Sequence, residues 1–192
     1  MVKLPSVLID MDKINTIVQQ YKKLSDWCSA FWDAVYDKCK GDIACNAGCG
    51  ICCELQSVNL LEAYIIFHAL QSSKVTLNNQ FNEKCVFLID DKCEIYNVRP
   101  LICRTHGLAI KSREFTTSYS ITCPYNFNET DLEKNSSIIL DMDMITENSV
   151  KLNLAFCIIN GLESFADKRI LMRDVASATF DSQVVNVFKG VL

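Results

Sequence analysis

Cys45-Asn-Ala-Gly-Cys49-Gly-Ile-Cys52-Cys53, with Cys85-Val-Phe-Leu-Ile-Asp-Asp-Lys-Cys93-Glu-Ile-Tyr-Asn-Val-Arg-Pro-Leu-Ile-Cys103-Arg104 after it, decides how this chain is read. Thiolates are soft, strong donors that suit zinc, copper(I) and iron–sulfur clusters. Together with Cys123, these positions nominate Cys45, Cys49, Cys52, Cys53, Cys85, Cys93, Cys103 and Cys123 as metal ligands. The eleven cysteines are an odd number, and 192 residues can build a core without covalent staples, so a disulfide framework is not expected. Cys28 and Cys157 fall on apolar helical faces and read as small hydrophobes, and Cys39 stays outside the set.

The spacing constrains the geometry. In a helix, Cys45, Cys49 and Cys52 would share a face, while Cys53 would point about a quarter-turn away. Adjacent cysteines do not readily ligate one tetrahedral ion but can serve two centres. Eight thiolates allow two four-thiolate sites or one polynuclear cluster. So many gathered anions require cations. Lys84 and Lys92 read as solvated charges, whereas Arg99 and Arg104, beside Pro100 and Cys103, read as contacts to the bound sulfurs. His68 reads as a core residue, and His106 as an alternate ligand or proton shuttle. Two histidines are too few for the common Cys₂His₂ pattern.

Working outward, residues 10–38 predict one amphipathic helix, with Ile14, Ile17, Val18, Tyr21, Leu24, Cys28, Phe31 and Val35 at helical steps. Asp10 caps its start, Trp27 and Trp32 widen its buried face, and Gly41 ends it. Asn59-Leu-Leu-Glu62 is a capping box for a buried helix running to about Gln71. Residues 72–84 read as a loop, and Val86–Ile89 and Glu94–Tyr96 as a hairpin that brings Cys85 and Cys93 together. Leu101–His106 predicts a helical turn carrying Cys103. Phe115–Ile121 alternates as a strand, with Leu108–Ile110 as its partner. Residues 126–147 read as an acidic surface loop. The remainder reads as helical, with Val150, Leu154, Cys157 and Ile158 on one face.

The fold expected is therefore α+β and mostly helical. One domain spans 1–192, with an N-terminal helix (1–40), a cysteine-cluster core (41–125) and a helical extension (126–192). At 49% hydrophobic and 22% charged, the composition suits a globular core. A net charge of −4 gives no footprint for nucleic acid. No stretch approaches the length of a membrane span, and the N-terminus lacks a signal-peptide core, so a cytoplasmic protein is expected. No nucleophile–base pattern or phosphate-binding glycine loop occurs.

The run Cys45-x3-Cys49-x2-Cys52-Cys53 … Cys85-x-Phe-Leu … Cys93-x-Ile-Tyr96-x-x-Arg99-Pro100-x-x-Cys103-Arg104 resembles the YkgJ-like cysteine-cluster family of zinc- or iron-chelating proteins, CxxCxxCC, over residues 41–125. Its first pair is spaced by three residues instead of two. Glu62 falls where that family tends to carry a glutamate. The resemblance implies metal binding through these cysteines; beside them, Arg99, Arg104, Tyr96, Glu62 and His106 are the neighbours to inspect. Some larger relatives with a similar cysteine set, the flagellin lysine methylases, resemble iron–sulfur enzymes that modify protein lysines. Three functions follow as expectations: a protein holding an iron–sulfur cluster (4Fe–4S) or zinc, a metal-dependent protein-modifying enzyme, or a structural zinc module that binds a protein partner.

Overall fold

Helix α1 (Met11–Lys38) follows the predicted apolar period, burying Ile14, Ile17, Tyr21, Ser25, Cys28 and Val35. Asp10 caps it by accepting the Lys13 N–H at 3.1 Å, and the Lys13 ammonium pairs with the same carboxylate. Two expectations change here. Trp27 is 44% exposed, stacked on Phe31 outside the buried stripe. The helix also stops before Gly41: the Cys39 amide closes onto Val35, and Lys40–Asp42 form a short 3₁₀ turn. The computed structural model describes residues 10–46, 48–72, 77 and 84–190, so most of the expected 72–84 loop lies outside the described residues.

Helix α2 (Leu60–Gln71) carries the predicted capping box, with Asn59 accepting from Glu62 N and the Glu62 carboxylate accepting from Asn59 N. It is buried on most sides. His68 is the exception, exposed with its ring against Tyr64 and Phe67 and not inside the core. Tyr64, Phe67, Phe156, Phe180 and Phe188 form the aromatic centre between α2, α4 (Met142–Ile159) and α6 (Ser182–Lys189). Helix α1 lies against α4 and the short α3 (Leu101–Thr105), while α5 (Met172–Ser177) packs on α2.

Strands are few and short. β1 (Ser57–Val58) pairs antiparallel with β7 (Ile170–Leu171). β2 (Leu88–Ile89) and β3 (Lys92–Cys93) form the predicted hairpin, but its second strand begins at Lys92. Asp90 and Asp91 take left-handed φ values of 47° and 59° and make a two-residue turn, which sends residues 94–96 into a turn and a 3₁₀ helix. β4 (Ala109–Lys111) pairs antiparallel with β5 (Ser120–Ile121) and parallel with β6 (Ile139–Asp141). The strand expected over 115–121 is thus confined to its last two residues.

Residues 126–135 are turns and irregular backbone, as a loop should be, but 136–147 are not. The latter hold β6 and the start of α4, because Ile138, Leu140 and Ile145 are buried. The expected α4 face is also turned: Val150, Leu154 and Ile158 are exposed, and Ile145, Asn153, Phe156 and Cys157 face inward. Asn153 fixes that rotation by accepting from Leu61 N at 3.0 Å and donating to Ala166 O at 2.8 Å. The architecture is α+β and mostly helical, as expected, and no described helix is long and apolar enough to cross a membrane.

Candidate metal centre

The first cysteine run folds as turns instead of a helix, so Cys45, Cys49 and Cys52 do not share a helical face. Gly48 adopts φ 94°, which breaks helical continuation, inside a tight turn closed by Cys49 N to Asn46 O, and a second turn follows, Cys53 N to Gly50 O, both 3.2 Å. A Cβ on Gly50 would sit 2.8 Å from Asp91 Oδ1, so the run presses against the tip of the β2–β3 hairpin. At its end, Cys53 O accepts from Cys85 N at 2.8 Å, tying the run to the next cysteine in sequence.

Cys103 is placed by a separate set of contacts. Buried Glu62 accepts at Oε1 from Tyr21 Oη–H (2.8 Å) and from Leu101 N–H (3.2 Å), which fixes the first turn of α3 against α1 and α2. Arg104 fixes the other end. Its guanidinium donates to Arg99 O (3.1 Å), Asn97 O (2.6 Å) and Ser29 Oγ (3.0 Å).

Cys45 and Cys123 are joined through Asn126, a residue the sequence reading missed. Buried Asn126 donates to Cys45 Sγ at 3.3 Å and to Gly107 O at 2.7 Å, and accepts from Ala44 N at 2.9 Å. Its own amide closes a turn onto Cys123 O at 3.2 Å. Gly107, also missed, has φ 95°, and a Cβ there would meet Cys45 Sγ at 2.9 Å.

The electrostatic neighbourhoods divide the thiols. Burial pushes the Cys45 thiol up, the Asn126 hydrogen bond opposes this, and Cys123, Cys49 and Cys52 add to the rise. Burial pushes Cys103 up to about 12, with Cys85, Cys93 and Glu62 adding and Arg99 opposing. Burial likewise raises Cys85, with Cys93 contributing, and raises Cys93 itself, against the charge of Arg99. Cys53 is lowered by the hydrogen bond it receives from Cys52, against burial and the charges of Cys93, Cys103 and Cys85. Cys52, the donor of that bond, is raised. Cys45 thus senses Cys49, Cys52 and Cys123, and Cys53 senses Cys85, Cys93 and Cys103, while the Cys52–Cys53 hydrogen bond links the two neighbourhoods.

Among the described residues, no three His, Cys, Asp or Glu side chains are already set to hold a metal ion. Cysteine sulfur nonetheless suits one chemically, since a soft thiol gives up its proton to a bound cation. The other nominated residues lie as follows. Tyr96 is 57% exposed beneath the Arg99 guanidinium, 3.9 Å from the ring centroid. Burial lowers His106, whose ring donates to the Thr122 backbone and senses Glu54. Lys84 binds Ile51 O and Glu54 at 2.8 and 2.9 Å, holding the first run, and Lys92 is exposed at the hairpin tip. Cys28, Cys39 and Cys157 are buried in the core cluster.

Residues 44–124 match the model of the CxxCxxCC family, described as "Putative zinc- or iron-chelating domain". The family resemblance read from the sequence therefore holds over nearly the expected span, and the description supports metal binding in general terms. No curated protein and no solved structure matches the chain.

Proposed function

We propose, from a segment of metal-chelating pattern, that this protein holds metal through Cys45, Cys49, Cys52, Cys53, Cys85, Cys93, Cys103 and Cys123, as two four-thiolate centres. The observation that carries this reading is the match of residues 44–124 to a zinc- or iron-chelating family, and the different cysteine neighbours of Cys45 and Cys53 favour two centres over one. Four cysteines complete a structural zinc site and also ligate a 4Fe–4S cluster. The all-thiolate set favours iron–sulfur, with zinc as the alternative. Anaerobic purification with iron, zinc and sulfide quantified, together with the visible spectrum, separates them. Brown protein with matched iron and sulfide supports clusters, and colourless protein with two zinc ions leaves the ligand assignment standing and removes the cluster. Replacing Cys45 and Cys123 by Ser lowers metal content by about half, as does replacing Cys85 and Cys93, if each group forms its own centre. Loss of all metal from either pair would merge them into one.

A cavity of about 350 Å³ supports a second reading, a metal-dependent protein-modifying enzyme. It is lined by Leu101 and Ile102 of the Cys103-bearing helix together with Glu62, Asn153, Lys168 and Arg169. Filling it with Ile102→Trp abolishes turnover without changing metal content on this reading. An activity indifferent to that change removes the cavity from the chemistry.

A further inference from the structure

Arg99 holds a buried hydrogen-bond donor with no acceptor among the described residues: its Nε. Buried guanidinium N–H groups are costly to leave unpaired, and native structures rarely do so. Its geometry is fixed from several sides. Arg99 precedes Pro100 and is extended (φ −58°, ψ 145°), as a residue before proline must be. Its carbonyl is held by Arg104, and its guanidinium lies on the Tyr96 ring. A side chain locked so firmly around an unused donor points to a specific acceptor.

The neighbouring cations are already engaged. Arg104 directs three nitrogens to Arg99 O, Asn97 O and Ser29. Lys84 is bound to Ile51 O and Glu54, and the His106 ring faces Thr122. Arg99 is also the cation whose charge reaches both Cys93 and Cys103. A protonated thiol accepts hydrogen bonds weakly, whereas a thiolate accepts them well and gains most from a charged donor. Four thiolates around a divalent ion leave two surplus negative charges, which a nearby guanidinium partly offsets.

We propose that Arg99 is the positioning residue of the Cys53, Cys85, Cys93 and Cys103 group, its Nε–H donating to a ligating thiolate and its charge balancing the filled site. This inference rests on the metal-binding reading above. Arg104 then serves α3, and Arg99 serves sulfur.

Cobalt(II), titrated anaerobically into the reduced full-length protein, is the probe. The wild type, Arg99→Gln and Arg99→Lys are compared by affinity and by the sulfur-to-cobalt charge-transfer band. Losing an outer contact of this kind costs about 10–100-fold in metal affinity. Arg99→Gln is expected to weaken one of the two ions by that factor and to move its band to lower energy, since an unbonded thiolate gives up charge more easily. Arg99→Lys, which keeps the charge but not the planar fork, falls between. A glutamine variant with wild-type affinity and band overturns the role of Arg99. Should that variant fail to fold, the lysine variant decides alone: an intermediate affinity supports the role, and wild-type affinity with an unmoved band overturns it. A wild-type protein that takes up no cobalt overturns the metal reading underneath, a failure visible without any variant.

Discussion

Gly107 and Asn126 form a mould around one sulfur atom. Asn126 uses both ends of its amide on Ala44, Cys45 and Gly107, while Gly107 leaves room for the sulfur by lacking a side chain. Gly107→Ala places a methyl 2.9 Å from Cys45 Sγ at φ 95°, where a side chain is strained whatever the space. The expected outcome is a loss of about 1 kcal/mol or more in stability and reduced metal in the Cys45 group, read by thermal unfolding and metal analysis. Gly41→Ala, with nothing within 4 Å of the added carbon, is the control and should be nearly neutral. Neither mould residue was legible in the sequence. Cysteines at thiolate spacing announce themselves, but one glycine and one asparagine reveal their purpose only when residues 45, 107 and 126 meet.

At the scale of elements, α3 is the instructive case. Five residues cannot sustain a helix in water, so its position comes from Glu62 before it and Arg104 within it. Glu62→Ala strands the Tyr21 hydroxyl and the Leu101 amide. It should lower stability by about 1–3 kcal/mol and reduce metal in the Cys103 group, whereas Glu62→Gln, which retains an acceptor, should lose less. Denaturant melts with metal analysis check both. The capping box that holds Glu62 was legible because it is local, four consecutive residues whose groups satisfy one another. The α4 face was not. Apolar spacing favoured Val150, Leu154 and Ile158, yet two hydrogen bonds from Asn153 to distant backbone set the rotation. The hairpin stands between these cases: its strands were visible, but their register depended on left-handed angles at Asp90 and Asp91.

The whole molecule should respond to pH in a definite direction. Burial pushes Cys103 from an ordinary 9.0 to about 12, and Cys28 and Cys157 to about 11. The folded state therefore keeps these protons more tightly than the unfolded chain does. The stability they contribute is complete below about pH 9 and is lost as pH rises towards their folded values. Reduced, metal-free protein should thus show a falling denaturant midpoint between about pH 8.5 and 11. Metal loading runs the other way, since protons compete for sulfur as pH falls. The matched segment also leans on the rest of the chain: Tyr21 meets Glu62, Ser29 meets Arg104, and Leu171 pairs with Ser57. Residues 44–124 expressed alone should lack a cooperative unfolding transition by circular dichroism; a sharp one would show that the segment is self-sufficient.

The β1–β7 pairing bears on how the protein is made. Arg169 reaches back 112 residues to bond Ser57, and Met172 N bonds Gln56 O beside it. During translation every cysteine from 45 to 123 is added to the chain before β7. The nascent chain thus carries all these sulfurs before β1 has its partner, and closure of that pair must follow the synthesis of β7.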